Sequence, residues 1–324
     1  MFPERFTTIR GLDPKDLCSL LLLTSRMKSH PERYSALLRG KTLLQFFVEN
    51  STRTRMSFEA ATRKLGGSSI AFAASTSSFQ KGETLVDTAK VIQQYGVDGM
   101  IVRHRSVGAP DLLADATGLP VINAGDGSHE HPTQALLDAF TLTEHWGLDS
   151  QDALGKAEFP FRGKRVMILG DLRHSRVARS NIHFLTALGA EVHLCGPTPL
   201  MIPDLSYFPA VHTHSFPDRG ASGVISSMDA VMTLRIQVER QNQGNIPSLT
   251  EYREFWGLTR ERATRLKPGA VVLHPGPVNR GVEIDAEVAD SASSLILKQV
   301  ENGVYARMAV LAKVFSKESA GVLS

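Results

Sequence analysis

Short apolar runs rich in β-branched residues alternate with segments of helical spacing along most of the chain, and nothing else in the sequence limits the fold so tightly. The runs stand at Leu43 to Val48, Gly99 to Val102, Val121 to Ile122, Val166 to Leu169, Val192 to Cys195, Ala230 to Leu234 and Val271 to Leu273. Strands apolar on both faces, interleaved with helices, predict parallel sheets covered on both sides. At roughly 150 residues per domain, the 324 residues predict two α/β domains. Helical spacing over Ser57 to Leu65 stops at Gly66-Gly67, and over Ala178 to Leu188 at Gly189, a position suited to a left-handed helix end. The domain boundary is expected where the helix starting near Pro132 runs out, around Trp146 and Gly147, ahead of the Gly- and Pro-containing stretch 148–162. Apolar residues at Val300, Val304, Met308, Leu311 and Val314 predict a terminal helix over 295–315, whose packing partner the periodicity leaves open.

Composition removes several classes of function. Thirty-six Lys plus Arg against 33 Asp plus Glu leave a formal charge of +3, which gives no reason to expect nucleic acid as a partner. Cys18 and Cys195 stand far apart without CxxC spacing, so neither a disulfide framework nor a zinc cluster is supported, and the reduced cytoplasm is the expected compartment. The longest apolar run near the start, Leu20 to Leu23, is too short for a membrane span or a signal-peptide core.

Polar residues concentrate where the predicted strands end. In open parallel sheets ligands bind beyond the carboxyl ends of strands, because helix N-termini there offer unpaired N–H groups. The first strand is followed by Glu49-Asn50-Ser51-Thr52-Arg53-Thr54-Arg55 and then a helix. Hydroxyls, free backbone donors and two guanidiniums make an anion cradle; simple helix capping by Ser51 or Thr52 is the plainer alternative. The glycines of a Walker loop are missing, and Gly170-Asp171-Leu172-Arg173-His174-Ser175-Arg176 does not supply the Gly-x-Gly-x-x-Gly of a dinucleotide site. Arg176 there suits a small carboxylate, whereas Arg173 reads as a surface charge. Arg103-His104, Gly125 to Gln134, Arg235-Ile236-Gln237 and His274-Pro275-Gly276-Pro277 end further strands. His129-Glu130-His131 lacks a third metal ligand at a recognisable spacing, with neither His104 nor the His212/His214 pair supplying one, so no metal is expected.

These segments resemble the catalytic chains of the aspartate carbamoyltransferase family over essentially the whole sequence. Phe46-Phe47 followed by Ser51-Thr52-Arg53-Thr54-Arg55, then Lys81-Gly82-Glu83-Thr84, then His131-Pro132-Thr133-Gln134 carry the likeness. Ornithine enzymes usually have His-Cys-Leu-Pro near the last strand; this chain has His274-Pro275-Gly276-Pro277-Val278-Asn279-Arg280, and Arg235-Ile236-Gln237 resembles the aspartate-binding segment. The resemblance implies two Rossmann-like domains with parallel sheets and an active site in the cleft between them. Residues 1–146 plus 295–324 would bind carbamoyl phosphate and 147–294 L-aspartate, the terminal helix crossing back to the first domain. It gives Ser51, Thr52, Arg53, Thr54 and Arg103 to the phosphate, and places Thr54, Arg103 and His131 around the carbonyl oxygen and Gln134 at the carbamoyl nitrogen. Arg176, Arg235 and Gln237 go to the aspartate carboxylates. Gly276 and Pro277 offer backbone carbonyls, although other members have Leu where Gly276 stands. Ser77, with Ser78 as the alternative, and Lys81 would enter the site of a neighbouring subunit, implying a homotrimer with shared sites. A dodecamer with regulatory or dihydroorotase-like chains is open, and no cofactor is implied. The competing readings are transfer to ornithine or another amine, and a catalytically silent scaffold. The loop from Arg240 to Ser248 is a candidate mobile element.

Overall fold

The computed structural model describes residues 4–72, 84–157, 159–218, 223–236 and 248–316. The chain divides into two compact units, Met1–Lys156 with Glu301–Ser324, and Ala157–Val300. Among the described residues each unit contains a five-stranded parallel sheet.

In the first unit the strands are β1 (Arg5–Phe6), β2 (Thr42–Phe47), β3 (Ser68–Ala71), β4 (Gly99–His104) and β5 (Val121–Asp126), in spatial order β1-β5-β4-β2-β3. The helices are α1 (Pro14–Ser29), α2 (Thr52–Lys64), α3 (Leu85–Gln93), α4 (Ala109–Thr117), α5 (Pro132–His145) and α6 (Gln151–Lys156). Central strands are buried on both faces, as parallel packing between helix layers requires: Leu44, Phe46, Met100, Val102 and Val121 join Leu113 and Ala114 of α4 in one apolar cluster. Phe46 stacks on Phe72 with ring centroids 4.5 Å apart. The second unit carries β6 (Arg165–Leu169), β7 (Glu191–Cys195), β8 (His212–His214), β9 (Ala230–Thr233) and β10 (Val271–Leu273), in order β10-β9-β6-β7-β8. Its helices are α7 (Arg176–Ala187), α8 (Leu249–Trp256), α9 (Arg260–Ala263) and α10 (Ala286–Ala289). Met167, Leu169, Val231 and Val272 build its core with Leu258, Ile284 and Val288.

The helix expected at the end of the sequence is α11 (Ile296–Phe315). From residue 301 onward it belongs to the first unit, where polar contacts fix it. Asn302 Nδ2 donates to Glu144 at 2.7 Å and to Thr141 at 3.1 Å, while Lys28 Nζ donates to Asn302 Oδ1 at 2.7 Å and to Glu144 at 2.6 Å. One partly buried knot thus ties α1, α5 and α11 in a single register, since its polar members are satisfied together. Arg307 donates to Ser57 of α2 at 2.9 Å and lies over the Phe58 ring, and burial lowers its guanidinium to about 10.

Each apolar run named from sequence coincides with a strand, except that Val48 and Leu234 fall one residue past the ends of β2 and β9, while β4 and β5 extend beyond their runs. Three strands were not expected: β1, β3 and β8. Each is an edge strand, so none needs the apolar pattern that marks a strand buried on both sides. The stretch 148–162 also contains α6, whose only buried residue is Leu154.

Phe315 closes over β4 at a position where a side chain has no room. A Cβ at Gly99 would press into the Phe315 ring and stand 2.8 Å from Pro120 O. Gly99→Ala should therefore destabilise the protein by about 1–3 kcal/mol through overpacking. Urea unfolding of Gly99→Ala, Phe315→Ala and the double variant should give a smaller penalty for Gly99→Ala when the ring is already gone. An equal penalty in both backgrounds would mean that the ring is not the obstacle.

Candidate functional site

A parallel sheet that grows in both directions from one strand must reverse its winding, and adjacent loops then part to leave a crevice at the carboxyl edge. In the first unit β3 lies on one side of β2 and the next strand, β4, on the other, so the reversal falls between β2 and β4. In the second, β7 and β8 extend to one side of β6 and β9 lies on the other, placing the reversal between β6 and β9. The described candidate residues cluster at these two edges, one set in each unit.

On the first unit, the run after β2 leads into α2 with Ser51 at the N-cap position. Ser51 does not cap the helix: its Oγ donates to Thr54 Oγ1 at 3.0 Å and makes no side-chain bond to the backbone of the first turn. The leading N–H groups of α2 therefore keep their capacity for an anion, which disfavours the capping alternative. Thr54 is buried, whereas Thr52, Arg53 and Arg55 are exposed. Strand register sets Arg103 opposite Phe47, directly below this run. Arg103 donates from Nη1 to Ala124 O at 3.0 Å and from Nη2 to Glu49 at 3.1 Å. Beyond β5, buried His131 occupies the N-cap position of α5, with Pro132 opening the helix and no side-chain cap bond. Gln134, one turn on, donates from Nε2 to buried Asp138 at 2.9 Å.

On the second unit, buried Arg176 is the first residue of α7, after β6, and Arg235 follows β9. The approach between these loops is close: at Gly170, with φ +134°, a Cβ would stand 3.0 Å from Leu234 O and 3.1 Å from Tyr252 Oη. Buried Asp171 accepts from the His174 backbone N–H at 3.2 Å and lies 2.9 Å from His174 Nδ1, fixing the turn that delivers Arg176. Arg173 is exposed. Gly276 and Pro277 follow β10, the strand next to β9. Their loop is held by His274, whose Nδ1 accepts from Gly276 N–H at 2.8 Å and whose Nε2 lies 3.1 Å from Glu283. Glu283 also accepts from Asn279 N–H at 2.6 Å. Ser77, Ser78, Lys81, Gln237 and all of the 240–248 loop except Ser248 lie outside the described residues.

Sequence reasoning passed over the carboxylates that orient these cations and loops: Glu49, Asp138, Asp171 and Glu283. A carboxylate at a strand end gives no signal by itself, because its partner is brought to it by the fold.

The His129-Glu130-His131 segment does not converge on a common point. Glu130 turns its carboxylate to Thr8 Oγ1 and to Ile9 N–H, the latter at 2.9 Å. His129 Nδ1 lies 3.1 Å from Asp126, which also accepts from Gly108 N–H and Asn123 Nδ2, each at 2.8 Å. Hydrogen bonding to Asp126 raises His129 against the opposing effect of burial. Burial pushes Asp126 up, but the hydrogen bonds from His129, Gly108 and Asn123 outweigh it and leave the carboxyl below its ordinary value. The raised imidazole stabilises the fold below its ordinary 6.5 and stops doing so as pH rises through its folded value. The lowered carboxyl stabilises above its ordinary 3.8 and stops doing so on acidification. Both contributions coexist in the mildly acidic range between. His129→Gln should accordingly lower the denaturation midpoint more at about pH 5 than at about pH 8. A deficit that grows toward alkaline pH would contradict the pairing.

Two family models match the chain in succession: the carbamoyl-P binding domain of aspartate/ornithine carbamoyltransferase over residues 4–144, and the Asp/Orn binding domain over 162–314. The aspartate carbamoyltransferase catalytic subunit of Myxococcus xanthus is 49% identical over 94% of this chain and 96% of its own length. That of Opitutus terrae is 47% identical over 89% and 85%. Among solved structures, aspartate transcarbamoylase from Trypanosoma cruzi in complex with aspartate and phosphate gives a TM-score of 0.80 at 28% identity, covering 96% of this chain and 95% of that one. Ornithine carbamoyltransferase from Thermus thermophilus gives 0.81 at 26% identity, covering 98% and 100%. With both domain models matched in order and relatives near half identical along almost the full length, the chain belongs to the aspartate/ornithine carbamoyltransferase family.

Proposed function

We propose that the chain transfers the carbamoyl group of carbamoyl phosphate to the α-amine of L-aspartate, releasing N-carbamoyl-L-aspartate and phosphate. The choice of acceptor rests on sequence: backbone similarity is the same to an aspartate and an ornithine enzyme, at TM-scores of 0.80 and 0.81, whereas the curated relatives at 46–49% identity are aspartate carbamoyltransferase catalytic subunits. Arginines at the edges of both sheets suit two polyanionic substrates.

In this reading Ser51, Thr52, Arg53 and Thr54, with the open N-terminus of α2, hold the phosphate, and Arg103 reaches it from the neighbouring strand. Thr54, Arg103 and His131 stand around the carbonyl oxygen and Gln134 at the carbamoyl nitrogen. Arg176, Arg235 and Gln237 hold the aspartate carboxylates, with the backbone carbonyls of Gly276 and Pro277 beside them. The neutral amine attacks the carbamoyl carbon, negative charge gathers on the carbonyl oxygen, the nitrogen gives up its proton to His131 or to a phosphate oxygen, and the C–O bond to phosphate then breaks. No protein nucleophile is required. Donors fixed in advance at that oxygen each contribute about 2.7–4 kcal/mol, and alignment of the two substrates up to about 7–11 kcal/mol. The orientation of Arg103 by Glu49 and Ala124 fits such a task. The product chemistry suits an early step of pyrimidine synthesis, and the cytoplasm is the proposed compartment. Among the described residues no helix is long and apolar enough to cross a membrane. Ser77 and Lys81 are proposed to serve the neighbouring subunit of a homotrimer.

Colorimetric assay of carbamoylated product should show turnover with aspartate and none with ornithine. His131→Ala should lose about 10²–10³-fold in kcat, and Arg53→Ala should be similarly impaired, both remaining folded. Arg235→Ala should chiefly raise KM for aspartate. Ornithine turnover, or near-normal kinetics in the first two variants, would overturn the assignment. Shared sites make a second expectation. When the inactive variants Arg53→Ala and Lys81→Gln are mixed under conditions that exchange subunits, some sites regain a complete set and activity returns. A mixture as inactive as its components would exclude sharing.

A further inference from the structure

We propose that Glu191, His193 and His212 form a binding site for a divalent transition-metal ion of the zinc type at the β7–β8 edge of the second unit, with His214 orienting His193. The two strands pair in parallel with His193 opposite His212 and Cys195 opposite His214. Because side chains alternate along a strand, Glu191 and His193 share one face of β7, and His212 and His214 share one face of β8. The rings meet there: His193 stacks on His212 with centroids 4.7 Å apart and on His214 at 5.2 Å. Ligand atoms of Glu191, His193 and His212 all lie within 4.8 Å of one another.

His193 is what makes this a built site rather than a patch of surface histidines. It is only 7% exposed, and its Nε2 is buried without a hydrogen-bond partner. The other ring nitrogen, Nδ1, lies 3.0 Å from His214 Nε2. When Nδ1 donates to His214, Nε2 presents its lone pair toward the Glu191 carboxylate, 4.0 Å away. In that tautomer the lone pair and the carboxylate repel, and a cation held by both relieves the repulsion. A ring with one nitrogen tied by a hydrogen bond and the other without a partner is also how a ligating imidazole is oriented in metal sites.

Two imidazoles and a carboxylate, with a fourth position open to water, suit zinc and its first-row neighbours better than calcium or magnesium. Bonds of about 2.0–2.2 Å require ligand atoms roughly 3.4 Å apart, so the exposed Glu191 and His212 side chains must close in on the buried His193. Arg165 Nε holds Glu191 Oε2 at 3.0 Å and already orients that carboxylate. The set differs from the His212/His214 pairing considered in the sequence, since His214 stands behind His193. In the order β10-β9-β6-β7-β8, this edge is the one away from β10, so the site uses none of the residues assigned to transfer. Its effect is to pin a three-residue edge strand to its neighbour.

The test uses the full-length, untagged chain, stripped with chelator and titrated with Co²⁺ (d–d absorption) and with Zn²⁺ (calorimetry and thermal unfolding). One equivalent should bind, and Zn²⁺ should raise the melting temperature. His212→Gln and Glu191→Gln, both at exposed positions, should each abolish stoichiometric binding, and His214→Ala should weaken it by about 10–100-fold. His30→Gln, an exposed histidine elsewhere, should leave it intact, and carbamoyl transfer should be unchanged in His212→Gln. No stoichiometric Co²⁺ binding by the wild-type chain, or affinity that survives both His212→Gln and Glu191→Gln, would overturn the proposal.

Discussion

Each sheet in this protein grows outward in both directions from one inner strand, and the polar chemistry depends on that reversal. Parallel strands buried on both faces leave no room for charge within the layer, so charged groups collect at the carboxyl edge, where helix N-termini bring unpaired N–H groups. The two units obey this rule separately. Ser51 to Arg55 and Arg103 stand where the winding changes direction between β2 and β4, and Arg176 and Arg235 where it changes between β6 and β9. Anions are therefore expected at these two places on general grounds.

Much of this was legible in the sequence because the determinants are local. An apolar run such as Leu43 to Val48 reads as a strand buried on two faces, and the residues behind it then lie at its carboxyl end. The edge strands were not legible. Ser68-Ser69-Ile70-Ala71 and His212-Thr213-His214 have polar or mixed patterns, and only pairing with an inner neighbour makes them strands. The helical spacing begins later than α2 itself for a related reason. Thr52 to Arg55 reads as a polar loop, although it forms the first helical turn, where polar residues meet solvent.

The carboxylates behind the cations were invisible for a different reason. Glu49 precedes the hydroxyl–arginine run in the chain, yet its partner Arg103 comes from another strand. Glu283 and His274 are nine residues apart and meet only because the loop after β10 folds back. Such groups do not advertise a function by residue type. Their contribution is to remove orientational freedom from a guanidinium or a turn, and that becomes readable only when the partners are in place. The histidines of β7 and β8 teach the same lesson, since His193 acquires its meaning from a strand about twenty residues further on.

The polar knot of Lys28, Glu144 and Asn302 has a consequence for how the polypeptide emerges from the ribosome. The first unit is discontinuous: residues 157–300, which make up the whole of the second, are synthesised before the part of α11 that completes the first. Lys28 and Glu144 must therefore wait, incompletely partnered and accessible to water, while an entire intervening sheet is translated. Domains generally fold as units, amino-terminal first, but here the amino-terminal one is finished last, and chaperone demand should be greatest during that interval.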